Sequence, residues 1–465
     1  MPRKVDVVII GSGTAGLSAL GQVRKRTDNF VIINDGPYGT TCARVGCMPS
    51  KMLIEAADVF HKRLLYEEMG FRLSGTVEVD GKAVLERVRK LRDKLVKDTN
   101  RATIRLEQHK NIPGRARILA PDLVEVNGEQ IKTEAMIIAT GSTPIVPEQW
   151  KKFGDRIVTN STLFEMQNLP ETMAVVGLGS IGLEISQALS RLGVKITGFD
   201  ALNTIGGITD PEVAEAAIEI IGEEFPIHLE SRVTLEEGTS GRVLVRSENI
   251  EVQVDKVLVA VGRRPNTEGL AMENLGVPLN SMGIPEFNPH TMQVGDLPVF
   301  IAGDVNMRAQ FLAEAADDGH IAGYNSVKDA LHSFCRRTPL GIVFTHPNIA
   351  AVGERYSSID HNTVVTGSMD YRVQTRAMTA MRNRGLLRVY ADKSSGKLLG
   401  AEMAVPDGEH IAHLVSWAVQ RGLSVFETME LNFYHPVMEE GLRSALRRAA
   451  RKVAKRESAP EVPLC

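Results

Sequence analysis

An apolar, β-branched run opens the chain and leads directly into a glycine-rich turn. Val5–Ile10 is followed by GSGTAG at positions 11–16 and then by an amphipathic stretch, Ala15–Arg26. A second apolar run, Phe30–Asn34, comes next. The pattern predicts a buried strand, a tight turn, a helix and another buried strand.

The same order of elements recurs about 170 residues later, so the chain contains two copies of one unit. Met173–Val176 runs into GLGSIG at positions 177–182, the amphipathic stretch Ile181–Leu192 follows, and Lys195–Phe199 is the next apolar run. We therefore expect an α/β protein that contains two Rossmann-like nucleotide-binding domains.

Each copy has the residue types that bind a dinucleotide. The first glycine makes the tight turn, the second lets the backbone approach a pyrophosphate, and the third lets helix and strand pack closely. An acid after the second strand accepts hydrogen bonds from ribose hydroxyls. One such motif alone is also compatible with a plain glycine-rich turn, whereas two complete copies predict two dinucleotide sites. These residues are Gly11, Gly13, Gly16 and Asp35 in the first copy, and Gly177, Gly179, Gly182 and Asp200 in the second.

The composition is that of an ordinary globular protein. The 465 residues are 43% apolar and 24% charged, with a net charge of −3, so bulk charge does not indicate a nucleic-acid-binding protein. No apolar run reaches the roughly 18 residues of a membrane span, and no secretory signal opens the sequence. Four cysteines in so long a chain exclude a disulfide-stapled scaffold. We expect a cytoplasmic protein without a membrane or nucleic-acid partner.

Two of the four cysteines lie in one short segment after the first copy. Cys42 and Cys47 are five positions apart, which in a regular helix separates the Cα atoms by roughly 8.7 Å. A disulfide tolerates at most about 7 Å, so the pair can bridge only in a distorted segment, which Gly46 and Pro49 would permit. Two inert thiols and a zinc site are the alternatives. Isolated cysteines elsewhere supply no further zinc ligands, which favours a redox-active pair and no metal.

The glycine motifs and five further segments together resemble the flavoprotein disulfide reductases, the family of dihydrolipoamide dehydrogenase, glutathione reductase and mercuric reductase. Segment 39–51 is similar to that family's GGTCxNxGCxPSK and departs from it at Thr40 and Arg44. The other matches beyond the glycine motifs are ATGS at 139–142, GRRPN at 262–266, IAGD at 301–304 and HPVMEE at 435–440, where Val437 replaces a threonine.

The resemblance implies FAD in the first site and a nicotinamide nucleotide in the second. It adds Thr41, Gly141 and Asp304 to the residues expected to bind FAD, and Gly262 to those expected to bind NAD. We expect NADH rather than NADPH, because Asp200 would repel a 2′-phosphate and 201–209 contains no Arg or Lys.

The resemblance also implies roles for charged residues around the redox pair. Lys51 and Glu184 match an ion pair beside the flavin ring; two solvated helix charges are the alternative. His435 and Glu440 match an acid–base pair that handles the thiol proton. In the family this histidine comes from the opposite subunit, which implies a homodimer.

The implied activity is exchange of electrons between NAD(H) and a dithiol or disulfide through Cys42–Cys47. Dihydrolipoamide dehydrogenase is the leading expectation, with a small molecule or a lipoyl domain as substrate and a 2-oxo acid dehydrogenase complex as an implied partner. NAD(P)H-dependent reduction of another disulfide or of mercuric ion is the enzymatic alternative. A nucleotide-binding scaffold or redox-sensor subunit is the alternative of another class.

The motifs also divide the chain into domains. We expect an FAD domain at 1–145 and 275–338, an NAD domain at 146–274, and a C-terminal α+β dimerisation domain at 339–465. Helices are predicted at 83–107 and 409–421, and a hairpin from 385–390 and 398–403. The basic run 443–456 is either a solvated helix face or a surface for an acidic partner, and Cys465 has no neighbouring cysteine.

Overall fold

The computed structural model describes residues 2–101, 106 and 109–454. In chain order its α-helices are α1 Thr14–Val23, α2 Thr41–Val45, α3 Cys47–His61, α4 Gly81–Thr99, α5 Ser180–Arg191, α6 Pro211–Gly222, α7 Leu312–Asn325, α8 Thr375–Thr379, α9 Gly408–Gln420, α10 Val425–Glu430 and α11 Glu440–Ala450. Its strands are β1 Arg3–Ile10, β2 Phe30–Asn34, β3 Asn111–Pro113, β4 Ala116–Ala120, β5 Leu123–Val126, β6 Glu129–Ile138, β7 Ser142–Pro144, β8 Ile157–Val158, β9 Thr172–Val176, β10 Lys195–Phe199, β11 Ile227–His228, β12 Thr234–Glu237, β13 Val243–Arg246, β14 Glu251–Val254, β15 Lys256–Val259, β16 Arg263–Pro265, β17 Val299–Ile301, β18 Leu340–Val343, β19 Asn348–Gly353, β20 Val364–Asp370, β21 Leu386–Asp392 and β22 Leu398–Val405.

The first glycine motif belongs to a seven-stranded sheet. Its order is β3-β2-β1-β6-β5-β4, and β17 pairs with β6. The strands β1, β2, β3, β6 and β17 are parallel to one another, and β5 pairs antiparallel with both β4 and β6. Because helices cover a parallel sheet, β1 is apolar on both faces, and Val7–Ile10 is buried. The chain leaves this sheet after β6 and returns to it at β17.

The second glycine motif belongs to a separate parallel sheet of five strands. Its order is β11-β10-β9-β15-β8, and a three-stranded antiparallel sheet, β12-β13-β14, lies between β11 and β15 along the chain. The short antiparallel ladder β7-β16 lies where the chain enters and leaves this unit. The α/β class with two nucleotide-binding units is confirmed, while the domain limits stay predictions.

The C-terminal part is an antiparallel sheet covered by helices. Its strand order is β18-β19-β22-β21-β20. The predicted hairpin is present as β21 and β22, and the predicted helix at 409–421 is present as α9. Apolar side chains of α9, α11 and the sheet form one core around Val389, Met403, Val415 and Leu446.

Two predictions reach beyond the described residues. Helix α4 begins at Gly81 and ends at Thr99, whereas the predicted helix continued to Glu107, which lies outside them. The end of the basic run 443–456 and Cys465 also lie outside them. In the described part of the chain, no helix has the length and apolar character needed to cross a membrane.

Candidate active site

The two glycine motifs have the same geometry at their outer glycines. Gly11 and Gly177 have positive φ angles of 109° and 96°. A Cβ atom there would lie 2.3 Å from the Ala139 carbonyl oxygen and 2.4 Å from that of Ala260. At the third glycine of each motif, Gly16 or Gly182, the added Cβ would lie within 1.9 Å or 1.8 Å of the first glycine's carbonyl oxygen. These positions therefore accept no side chain.

The middle glycines, Gly13 and Gly179, face open space instead. Their backbones are extended, with φ of −73° and −70°, and an added Cβ would meet no atom within 4 Å. Each is the N-cap residue of a helix, α1 or α5, and neither helix has a side chain that caps it. Uncapped N–H groups facing open space are the arrangement that binds a pyrophosphate, so both sites fit a dinucleotide.

The two residues predicted to bind ribose, Asp35 and Asp200, do not occupy equivalent positions in the structure. The Ser12 N–H donates to Asn34 Oδ1 at 3.1 Å, and the Leu178 N–H donates to Asp200 Oδ2 at 2.6 Å. The structural counterpart of Asp200 is therefore Asn34, which we did not single out from the sequence, and not Asp35. The Asp35 side chain is 63% exposed and lines a cavity of about 290 Å³ together with Gly11 and Arg115.

A larger cavity, of about 560 Å³, connects the two units. Gly13, Thr41, Gly141 and Asp304 line it, and all four are predicted FAD-binding residues. Ser180 and Ile181, at the start of α5, line it as well. The large cavity would hold the flavin ring and the small one the adenosine half, so the residues present fit FAD.

The cysteine pair lies at a helix break in the wall of the large cavity. Helix α2 ends at Val45, Gly46 has φ −119° and ψ −118°, and α3 begins at Cys47. This is the distortion that the spacing of the pair required. The two cysteines are free and half-buried, and each thiol shifts the pKa of the other. The Asn160 amide donates to the Val45 carbonyl oxygen at 2.9 Å and so holds the break in place.

The two thiols have different acidities. The hydrogen bond from Cys42 lowers the pKa of Cys47 to about 7, the positive charge of Lys51 contributes, and burial opposes both. The pKa of Cys42 is raised, because the same hydrogen bond favours its protonated form and burial adds to the effect. Cys47 is therefore the sulfur that is a thiolate near neutral pH.

The predicted ion pair is formed beside these sulfurs. Lys51 Nζ donates to Glu184 Oε2 at 2.8 Å, and the Glu184 side chain is 8% exposed. The Phe344 backbone N–H donates to Glu184 Oε1 at 3.0 Å, and Lys51 Nζ lies 4.3 Å from the centre of the Phe344 ring. The pair is thus not two solvated helix charges.

Two further predicted cofactor-binding residues, Asp304 and Gly262, accept hydrogen bonds from other parts of the chain. Asp304 Oδ2 accepts a hydrogen bond from Ser142 Oγ at 2.8 Å, and Arg263 Nε donates to the same Ser142 oxygen at 2.8 Å. Arg263 also lines the large cavity, where burial lowers its pKa. Gly262 has a φ of 118° and accepts from the Ile145 N–H through its carbonyl oxygen.

His435 and Glu440 form a pair, but away from the cysteines of their own chain. His435 Nδ1 lies 3.0 Å from both carboxylate oxygens of Glu440, and the His435 side chain is 72% exposed. Neither residue lines the large cavity. One chain therefore brings together every predicted redox residue except this pair.

Sequence reasoning missed Asn34, Asn160 and Phe344. Asn34 was detectable, because it follows the first glycine of its motif at the same distance as Asp200 follows Gly177. Asn160 and Phe344 reach the site from distant parts of the chain, and no spacing or motif marks them.

Comparison with known proteins agrees with this geometry. The family described as pyridine nucleotide-disulphide oxidoreductase matches residues 5–319, and its dimerisation domain matches residues 340–446. The chain belongs to this family. Its nucleotide-binding and dimerisation domains are therefore those of a flavoprotein oxidoreductase, and its cofactors are FAD and a nicotinamide dinucleotide.

Relatives within the family have different activities. The chain is 30% identical to dihydrolipoyl dehydrogenase of Thermus scotoductus over 458 residues, which is 95% of this chain and 97% of that protein. It is 28% identical to mercuric reductase of Staphylococcus aureus over 457 residues, 95% of this chain and 81% of that one. The solved structure of LpdA from Mycobacterium tuberculosis matches with a TM-score of 0.83 at 23% identity, covering 96% of this chain and 99% of that one. The Cu(II) complex of the HOCl-induced flavoprotein disulfide reductase RclA from Escherichia coli matches with a TM-score of 0.81 at 23% identity over the same shares.

Proposed function

We propose that this protein exchanges electrons between NAD(H) and a dithiol or disulfide, as a dihydrolipoamide dehydrogenase or a close relative. The observation that carries the proposal is the arrangement of Cys42 and Cys47. Both lie at a helix break, in the wall of a cavity that Gly13 of the first glycine motif also lines, and each thiol shifts the pKa of the other. When bound, FAD and the nicotinamide supply the two-electron transfer that reduces or reoxidises this pair.

The two cysteines divide the work in the reductive direction. Cys42 attacks the substrate disulfide and forms a mixed disulfide, releasing the first substrate thiolate, which takes a proton. Cys47 then attacks the Cys42 sulfur, which releases the second thiolate and leaves the Cys42–Cys47 disulfide. For a dithiol substrate each bond change runs in reverse.

Cys42 needs a base, because its pKa is raised and the thiolate is the attacking form. We propose His435, oriented by Glu440, as that base and as the proton donor to the leaving thiolate. The pair is exposed and lies outside the cavity of its own chain, so a second copy would supply it. The working form is thus a homodimer, in line with the dimerisation domain at 340–446.

Dithiol chemistry is favoured over metal reduction by the His435–Glu440 pair, since protons move when sulfur is exchanged. Dihydrolipoamide, free or on a lipoyl domain of a 2-oxo acid dehydrogenase complex, is the proposed substrate, and the cytoplasm the proposed location.

Reduction of mercuric ion at the cysteine pair is the second candidate, supported by the likeness to mercuric reductase. No cluster of three or more His, Cys, Asp or Glu side chains suited to a metal occurs among the described residues.

A substrate panel tests the proposal. The purified protein is assayed with NAD and dihydrolipoamide, and with NADH and lipoamide, glutathione disulfide or Hg²⁺. We expect the highest kcat/KM with the lipoyl substrates, and a long-wavelength charge-transfer band when NADH is added without oxygen. A higher kcat/KM with Hg²⁺ would establish the second candidate. A colourless protein that binds nucleotide without turnover would instead support a scaffold.

A further inference from the structure

Three distant segments meet at the ion pair beside the cysteines. Lys51 comes from α3, Glu184 comes from α5, and Phe344 follows β18 in the dimerisation domain. All three residues line the large cavity, as do Cys42 and Cys47. The ion pair is therefore not built by the nucleotide-binding units alone.

Phe344 contacts both partners of the ion pair at the same time. Its ring centre lies 4.3 Å from Lys51 Nζ, and its backbone N–H donates to Glu184 Oε1 at 3.0 Å. Glu184 thus uses one carboxylate oxygen for the ammonium and the other for the backbone of Phe344. A half-buried ion pair is stable only when such additional contacts satisfy its remaining polar atoms.

The position of the Lys51 ammonium matters for the sulfurs. Its charge favours the thiolate of Cys47, while the charge of Glu184 opposes it. The Lys51 side chain is 30% exposed, so its long flexible stem needs a contact that holds the ammonium in one place. The face of an aromatic ring attracts a cation and supplies that contact.

We propose that Phe344 is a positioning residue, which fixes the Lys51 ammonium with its ring and the Glu184 carboxylate with its backbone N–H. The dimerisation domain would in this way set the charge beside the cysteine pair, in addition to its part in dimerisation. The inference rests on the proposed redox role of Cys42 and Cys47.

The charged and titratable groups around Cys47 come from several elements. Cys42 of α2, Lys51 of α3 and Glu184 of α5 act on it directly. Arg263 and Asp304 lie elsewhere on the wall of the same cavity. Phe344 carries no charge, so replacing it changes the arrangement of these groups without adding or removing one.

The test measures the titration of Cys47 in the reduced holoenzyme. Trypsin cleaves after Arg44 and Lys51, so Cys47 lies on peptide 45–51, apart from Cys42. The rate of iodoacetamide labelling of this peptide is followed by mass spectrometry between pH 5 and 9. In Phe344→Leu the midpoint should move to higher pH, and labelling at pH 7 should slow roughly threefold, as expected for a lost cation–π contact. Phe344→Tyr, which keeps the ring, should titrate like the wild type.

Phe60→Leu is the matched control, because the Phe60 ring also faces a cation, that of Arg63, but at the far end of α3. It should leave the Cys47 titration unchanged. Phe344→Met, which keeps most of the volume without a ring, replaces Phe344→Leu if that variant does not fold. The proposal would be overturned if the Cys47 midpoint were unchanged in folded Phe344→Leu or Phe344→Met, or if Phe60→Leu shifted it equally. Failure of both Phe344→Leu and Phe344→Met to fold would also overturn it. Thiol labelling does not depend on turnover, so this result is independent of whether the substrate panel identifies a dithiol.

Discussion

The two glycine motifs have nearly the same backbone geometry but different surroundings. In both, the outer glycines accept no Cβ and the middle glycine faces open space at an uncapped helix. The first copy is followed by the cysteine segment, whereas after the second copy the chain continues through 201–209 to α6. The motif itself therefore explains dinucleotide binding, and the segment after it decides what chemistry each nucleotide meets.

The copies also differ in the residue at the end of the second strand whose side chain accepts a hydrogen bond from the glycine motif. Asn34 and Asp200 occupy equivalent positions, yet one is neutral and the other is a carboxylate. The carboxylate of Asp200 accepts from the N–H groups of Leu178 and Leu202. A negative charge therefore lies at the second site at a position where the first site has an amide.

Replacing Cys42, the first cysteine after the first copy, should have the largest effect on activity. Cys42→Ser should lower disulfide turnover by at least about a thousandfold, because no thiol remains to attack the substrate. NADH should still reduce the bound flavin, since both nucleotide sites are intact. Stopped-flow absorbance measures flavin reduction, and a coupled assay measures turnover. Cys335→Ser, at an exposed cysteine, is the control and should retain full activity; normal turnover in Cys42→Ser would rule out its role.

Adding a side chain at each middle glycine should show which nucleotide each copy binds. Gly13→Val and Gly179→Val introduce side chains where the backbone is extended and no atom lies within 4 Å, so both proteins should fold. Gly13→Val should weaken FAD binding by about tenfold to a hundredfold, the range for lost hydrogen bonds to a charged group. Gly179→Val should stay yellow but need a correspondingly higher NADH concentration for half-maximal flavin reduction.

Flavin content and NADH titrations measure these two effects, and thermal unfolding checks the fold. Loss of FAD in Gly179→Val, or full FAD content in Gly13→Val, would show that the copies are assigned to the wrong nucleotides.

Local features of the site could be predicted from the sequence, and long-range contacts could not. The glycine motifs and the break at Gly46 involve residues at most a few positions apart, where spacing constrains geometry. The Lys51–Glu184 and His435–Glu440 pairs were expected through family resemblance alone. Phe344 and Asn160 act across more than a hundred residues of chain, and neither contact leaves a periodic signal in the sequence.

The one-residue shift between Asp35 and Asn34 has a related cause. Both side chains are polar and lie at the end of an apolar strand, so only the equal distance from the first glycine of each motif distinguishes Asn34 from Asp35 in the sequence. Which of the two side chains turns back toward the motif depends on where β2 ends relative to β1, which is set by the pairing of Ile10 with Ile33. Register between strands is a tertiary property, and a shift of one residue reverses the side-chain direction.

The difference between Asn34 and Asp200 can be tested by exchanging the two residue types. Asp200→Asn keeps an acceptor for the Leu178 N–H but removes the negative charge, so the preference for NADH over NADPH should fall by roughly tenfold. Asn34→Asp adds a charge at the first site and should leave the nucleotide preference unchanged. The ratio of kcat/KM for the two nucleotides is the measurement. Equal use of both nucleotides by the wild type would contradict the proposed preference.

The smallest effect expected here is the pH dependence of Cys47 reactivity, which depends on residues next to both copies. Cys47 follows the first copy, but the charges around it come from Lys51 after that copy and from Glu184 on the helix of the second. Its lowered pKa of about 7 means that the thiolate is present above this pH and becomes protonated below it. Between pH 7 and pH 6 the thiolate fraction should fall from about one half to about one tenth, and alkylation should slow about fivefold.

Cys42 provides the internal contrast, because its pKa is raised and its alkylation should not follow the Cys47 titration near pH 7. Peptide-resolved alkylation of the reduced enzyme distinguishes the two sulfurs, with the exposed Cys335 as the reference thiol. The charge-transfer absorbance should follow the Cys47 titration and fade as the pH drops below 7. If both cysteines instead titrated together at the ordinary thiol value, the hydrogen bond and the Lys51 charge would not be acting on Cys47. The second copy would then contribute a nucleotide site and nothing to the reactivity of the sulfur pair.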